Sequence, residues 1–481
     1  VQELGLTRRS LLGGALGAGS VAVLSACGLG REPVSARVPV VPPSSRPTTG
    51  AVRSYSLTSA PAQVDLGGTV VSTWAYGSTI PGTVLRATAG DRVQVAFTNE
   101  LPVPSSVHWH GLAIPNSMDG VPGVTTPEVA PGGTFAFDFV VPDPGTHWFH
   151  PHTGLQLDRG LYAPFVIDDP DEPGAYDHEW VIVLDDWTDG VGPSPEEILA
   201  DLQDDRGHSM MGGMMGGAAD GDVAYPFFLI NGRTGNDPDA MAARPGQKVR
   251  LRIINAGADT VFTVAIADHD LTVTHSDGFA VQPVTAQALR IGMGERYDVI
   301  VTLGDGVFPL VAEPVGKAGL ARALIRTGGG PVPEGDHRPA ELGTPPLRVD
   351  DLAAAGSAVL PARDPDSVQD LVLSGGMGAY VWTINGRTYD QTVPLTIREG
   401  QAGRLRITNH SMMSHPVHLH GHSFQVGSAG GSGPRKDTVL VPPMARVDVD
   451  FAASNPGNWM IHCHNAYHAE AGMMTRLEYV N

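Results

Sequence analysis

Apolar and polar positions alternate with period two along three stretches that share one pattern: Ala87–Asn99 (ATAGDRVQVAFTN), Ala243–Asn255 (ARPGQKVRLRIIN) and Ile397–Asn409 (IREGQAGRLRITN). Each is a glycine-containing turn feeding a strand that ends in asparagine. The turn glycines Gly90, Gly246 and Gly400 recur about every 155 residues, the length of a domain rather than of a solenoid unit. A second echo links Val129–Phe139 with Val441–Phe451, and each reaches a Pro-Gly pair shortly afterwards, Pro144-Gly145 and Pro456-Gly457. The pattern predicts an all-β chain of three sandwiches in tandem with little helix. The domains are expected at 51–170, 171–335 and 336–481, because alternation gives way to Gly, Pro and charge near Asp169–Gly174 and Gly328–Pro346.

Composition narrows the functional classes. With 60 Gly and 40 Pro in 481 residues, turns interrupt the chain too often for long helical bundles. A net charge of -20 repels phosphate backbones and anionic membranes, which excludes nucleic acid as a partner. Only 2 Cys stand against 18 His, so neither a disulfide framework nor a four-cysteine zinc module can be built. At the N-terminus, Arg8 and Arg9 precede an apolar run from Leu11 to Leu24 that is too short to span a bilayer. The run Thr7–Leu12 resembles a twin-arginine export signal, and Leu24-Ser25-Ala26-Cys27 a lipoprotein box. Residues 1–27 are therefore expected to act as a signal, with Cys27 carrying a lipid anchor, and 28–50 as an extended linker rich in Pro, Ser and Val. The expected location is outside the cytoplasm, on the cell envelope or secreted, with a monomer as the expected state.

The histidines obey two registers. Counting nine, eleven and twelve from Asn99 reaches His108, His110 and Gly111, and the same offsets from Asn409 reach His418, His420 and Gly421. From Asn255 the first two offsets land on Val264 and Ile266, so the middle domain has no ligands there. Counting five and seven from the Pro-Gly glycines gives His150 and His152 after Gly145, and His462 and His464 after Gly457. On a strand, His-X-His puts both imidazoles on one face, about 7 Å apart along the backbone, where they can converge on one metal or two adjacent ones. Cys463, between His462 and His464, must point to the opposite face. His415 lies an odd number of residues before both His418 and His420, which sends it to the cysteine's face, while His468 and Met473 follow on the next loop. Two imidazoles, a thiolate and a thioether form the ligand set of a blue-copper centre. Zinc also accepts imidazole but has little use for a thioether.

These four motifs together resemble the three-domain multicopper oxidases, the family of laccases and cuprous oxidases, from about Ala51 to Asn481. The resemblance implies three cupredoxin-like Greek-key β-sandwiches and four copper ions. It implies a type 1 copper on His415, Cys463, His468 and Met473, and a type 2 copper on His108 and His418. A type 3 pair would sit on His110, His150, His152, His420, His462 and His464. The implied reaction couples one-electron oxidation of a small reductant, such as Cu(I), Fe(II) or a phenol, to reduction of O2 to water, with copper detoxification as its expected setting. The alternatives are a general phenol oxidase or a copper-sequestering cupredoxin without turnover.

Oxygen reduction consumes four protons, and two acids are candidates to deliver them. Asp119 resembles the proton-delivering acid of relatives. Glu470 stands one residue beyond the position, here Ala469, at which several bacterial relatives carry a Glu. Asp437 matches a family position near the type 1 histidine and is expected to bind an incoming cation or phenol. Met210, Met211, Met214 and Met215 are expected to recruit Cu(I) from the segment 208–217, because thioethers favour that ion. His147, His178, His269, His275, His337, His410 and His422 fall outside both registers and are expected at the surface or behind the ligands.

Overall fold

The computed structural model describes residues 48–172, 176–204, 221–376 and 379–481. The signal, Cys27, most of the linker and the methionine segment 208–217 lie outside them. No helix among the described residues is long and apolar enough to cross a membrane.

The chain forms three β-sandwiches. The first packs the sheet Val70–Tyr76, Val52–Asp65, Arg92–Asn99, Thr134–Val140 against the sheet Leu85–Thr88, Ala163–Asp168, Gly145–His150, His108–His110. The second is built from strands between His178 and Arg326 in six- and five-stranded sheets, and the third from strands between Ser367 and Tyr479 in the same arrangement. One layout recurs. The strand that opens each sandwich runs parallel to the repeat strand (Arg92–Asn99, Lys248–Asn255 or Ala402–Asn409), and the next strand pairs antiparallel on its far side. The apolar parity of the repeat strands is the core parity: Val93, Val95 and Phe97, then Val249, Leu251 and Ile253, then Leu405 and Ile407 are all buried. Each such side chain contributes roughly 1.5–3 kcal/mol.

The repeat asparagines fasten the loops that lead to the histidine strands. Asn99 Nδ2 donates to Val103 O (2.9 Å) and Val129 O (2.8 Å), and its Oδ1 accepts from Leu101 N. Asn255 does the same with Thr260 O, Ile291 O and Gly257 N, and Asn409 with Met413 O, Val441 O and Ser411 N. A side-chain amide supplies the two donors and the acceptor this corner needs. Helix is sparse. Helix α1 (Pro195–Gln203) starts on a capping box of Ser194 and Glu197, and α2 (Ala466–Glu470) is capped by Asn465.

Candidate metal centres

In the first sandwich His108 pairs with His150 across neighbouring strands, and in the third His418 pairs with His462 in the same way. The two outer sandwiches bring these strands together. The rings of His108 and His420 stack at 3.8 Å between centroids, as do those of His110 and His418. Ligand atoms of His110, His150 and His464 fall within 4.8 Å of one another, as do those of His152, His420 and His462. His108, His110 and His418 form a third such group. The six histidines expected to hold a metal pair thus divide into two triads, each drawing on both outer sandwiches.

Most of these rings are held by one nitrogen and aim the other inward. His108 Nδ1 donates to Asp119 O (2.9 Å), His150 Nδ1 to Pro151 O (2.9 Å), His418 Nδ1 to Asp437 O (2.9 Å) and His462 Nδ1 to Cys463 O (2.8 Å). His420 Nδ1 meets Asp119 Oδ2 at 3.1 Å. His110 is reversed: its Nε2 lies 3.1 Å from Asp437 Oδ1 and 3.0 Å from Thr438 Oγ1. Of the remaining nitrogens, His108 Nε2, His110 Nδ1, His150 Nε2, His418 Nε2 and both of His464 are buried without a partner, while Nε2 of His152 and of His420 lie 3.3 and 3.1 Å from His462 Nε2. Buried polar atoms ordinarily find partners. A convergent set of partnerless imidazole nitrogens, with carbonyl and carboxylate groups behind the rings, is the donor arrangement of a metal cluster. Burial, reinforced by neighbouring imidazoles, holds the pKa of His110, His150, His152, His420 and His464 well below the ordinary histidine value, and takes His462 down to about 3. Neutral imidazole is the form that ligates.

The opposite face of the same strand carries the second site. Cys463 Sγ lies 3.6 Å from His415 Nδ1 and 3.7 Å from His468 Nδ1, and those nitrogens are 3.1 Å apart. Separations above 3 Å among three convergent donors leave room for one ion between them. All three side chains are buried, as is Met473, whose carbonyl accepts from Cys463 N at 3.1 Å. Ser411 Oγ holds His415 Nε2 at 2.7 Å. Asp222 of the second sandwich holds His468 Nε2 at 2.8 Å, and the Trp382 ring lies 4.0 Å from that imidazole. Neither Asp222 nor Ser411 was expected from the sequence. Asp222 directly follows Gly221 beyond the methionine segment, at a distance of 246 residues from His468, and no register connects the two.

One expected role changes. Asp437 is not a surface receptor for substrate: its carboxylate is fully buried against His110 and His418, on the cluster side, and Arg296 grips it with bonds of 2.7 and 2.6 Å. Burial opposes its ionisation, but the Arg296 charge and the histidine hydrogen bonds hold its pKa well below the carboxylate range. Glu470 is the last residue of α2. Its side chain is exposed at the rim of a groove lined by Trp74, Thr153, Gln156 and Leu199, and among the described residues it bonds none of the ligand histidines. Asp119 sits where expected, with Oδ1 3.2 Å from His108 Nδ1 and Oδ2 on His420. Of the histidines outside the registers, His147, His269 and His422 are buried and bond none of the inward-facing ligand nitrogens.

The family description "Multicopper oxidase" matches residues 59–172, 178–330 and 362–481, most of the chain and all of the histidine motifs. The chain is a multicopper oxidase. Multicopper oxidase MmcO of Mycobacterium tuberculosis is 50% identical over 450 residues, covering 91% of this oxidase and 89% of that protein. Copper resistance protein A homolog of Pseudomonas syringae pv. tomato is 29% identical, over 95% and 97% of the two chains. The crystal structure of a laccase from Botrytis aclada superposes with a TM-score of 0.73 at 27% identity, covering 90% of the oxidase and 88% of the laccase. Copper is thereby the metal that the oxidase requires at its histidine clusters.

Proposed function

We propose that this oxidase takes electrons from Cu(I) at the His415–Cys463–His468 site and passes them to O2 at the cluster between its outer sandwiches, in copper detoxification outside the cytoplasm. The observation that carries the reading is the single strand whose consecutive residues His462, Cys463 and His464 serve both sites. In the assignment we favour, His415, Cys463, His468 and Met473 hold one copper, and His108 and His418 hold a second. His110, His150 and His464 hold a third, and His152, His420 and His462 a fourth. Bound copper supplies one-electron exchange at each site, and four such ions match the four electrons that convert O2 to two waters.

The chain's own residues do the rest. Cys463 gives a short bonded path, because its backbone is continuous with that of both cluster histidines beside it. The buried rings exclude bulk water from the cluster; His152 alone among the ligands is half-buried, beside the groove that Thr153 and Gln156 line. Asp119 spans His108 and His420 and can hand a proton to the cluster from either carboxylate oxygen. Asp222, the half-exposed carboxylate on His468, draws a cation toward the site of electron entry. It can equally take the proton of a phenol, which supports laccase-type activity as a second reading. For Cu(I) speak the thioethers: Met412 and Met444 are exposed on loops beside His415, and Met210, Met211, Met214 and Met215 lie in the segment that leads to Asp222. The N-terminal signal and the Cys27 anchor belong to the same proposal.

The test is copper content and visible spectrum of the purified protein, followed by oxygen uptake with Cu(I), Fe(II) and a phenol side by side. Four coppers with an intense blue band are expected, and fewer coppers or no band overturns the site assignment. Deleting residues 208–217 is expected to impair Cu(I) oxidation more than phenol oxidation; equal losses defeat the choice of Cu(I).

A further inference from the structure

Among the described residues the middle sandwich offers no ligand to the cluster, yet one of its side chains reaches it. Arg296 opens the strand Arg296–Thr302 and is wholly buried. Its Nη1 and Nη2 donate to the two oxygens of Asp437, its Nε donates to Thr146 O at 3.0 Å, and its Nη1 reaches Gly294 O at 3.2 Å. Asp277, on the same sandwich, receives the backbone N–H groups of Asp437 and Thr438 at 3.2 and 3.1 Å, and Arg296 N at 2.9 Å. The Asp437 carboxylate then meets Nε2 of His110, a ring whose Nδ1 is left buried without a partner. Three sandwiches therefore converge on one hydrogen bond: His110 from the first, Arg296 from the second, Asp437 from the third.

The glycine after the first histidine pair belongs to this arrangement. A Cβ on Gly111 would lie 2.5 Å from both Arg296 Nη2 and Asp437 Oδ2, so the clamp occupies the space that any other residue would need. A planar fork that grips both carboxylate oxygens fixes orientation as well as charge, which an ammonium cannot do.

We infer that Arg296 is a positioning residue for the copper cluster: by clamping Asp437 it fixes the tautomer and ring angle of His110, so that the ligand-free middle sandwich sets the affinity of a site in the other two. The inference rests on the reading that the histidine cluster holds copper. Residues behind a metal ligand typically change affinity by about 10–100-fold.

The test compares Arg296→Met, Arg296→Lys and the double variant Arg296→Met/Asp437→Asn with the parent holoenzyme. Readouts are copper per chain, the rate of copper transfer to a chelator, and the blue band as an internal control for fold. Arg296→Met is expected to keep the blue band and to lose cluster copper at least tenfold faster. The double variant, which removes the unpaired carboxylate but does not restore the fork, is expected to release copper as fast as Arg296→Met; recovery to the parent rate would overturn the inference by showing that the buried charge, and not the clamp, sets the affinity. Arg296→Lys is expected to fall between, keeping the charge without the fork. Unchanged release rates in Arg296→Met overturn the inference. If that variant does not fold, Arg296→Lys decides: faster release supports the inference and an unchanged rate overturns it. A parent protein without cluster copper would instead refute the underlying site assignment.

Discussion

Of the two metal-ligating regions, the His415–Cys463–His468 site lies wholly on the third sandwich, whereas the histidine cluster is shared between the first and the third. The single-sandwich site is made by a short span: the ligand strand His415–Leu419, the strand Asn458–Cys463 and the capped helix α2 beside them. Its ligands all come from the fold of one unit, with His468 steadied by Asp222 of the second sandwich. The cluster has no such independence, since each triad takes rings from two sandwiches and Asp119 and Asp437 each hold rings across that junction. The difference teaches that electron entry and oxygen reduction are built on different levels of structure, one on tertiary packing within a unit and the other on the docking of units.

The comparison can be broken most severely at the residue that joins the two regions. Cys463→Ser is expected to abolish the blue absorption and bring oxygen uptake to background while copper stays on the cluster, measured by copper content and absorbance on one sample. If cluster copper is lost too, the regions are not separable. Asp119→Asn acts only on the shared region: oxygen reduction is expected to fall by about 10–100-fold, with the blue band unchanged. Steady-state uptake at saturating reductant checks this, and full activity would remove the proton-transfer role. Asp222→Asn sharpens the other side. It removes a charge-assisted bond to His468, so KM for Cu(I) is expected to rise about tenfold, with a smaller change in the rate at which the reduced enzyme consumes O2. Equal changes in both would show that Asp222 supports the fold rather than the entry site.

What could be read beforehand divides along the same line. The ligands were legible because each domain repeats its turn, strand and asparagine, so that fixed offsets turn histidine pairs into a register, and strand parity separates Cys463 from His462 and His464. The carboxylates behind the rings were legible only in part. Asp119 lies close to His108 along the chain, but Asp437 and Asp222 hold His110 and His468 across sandwich boundaries, and Arg296 reaches Asp437 across another, where no period relates one residue to another. Asp437 shows the failure most clearly: a position assigned to the mouth of the entry site lies deep at the cluster, because the partner that decides its orientation is an arginine 141 residues away. Helix α1 did carry a local signal, the Ser194–Pro195–Glu197 start, within a chain otherwise read as strands.

The middle sandwich completes the contrast. At the positions that hold histidines in its neighbours it buries Val264 and Ile266 in its own core, and a few of its polar side chains reach the third sandwich. Besides Arg296 and Asp222, Asp259 receives Asn465 Nδ2, and Lys317 pairs with it at 2.6 Å. Asn465 in turn caps the helix that carries His468.

The strand Met474–Tyr479 guards an edge that would otherwise be open. It lies between Leu395–Ile397 and the ligand strand Asn458–Cys463, so it closes the sheet on which Cys463 stands. The strand that carries Cys463 is therefore flanked on both sides, by His415–Leu419 and Met474–Tyr479, and the residue that joins the two sites presents no open sheet edge to another chain.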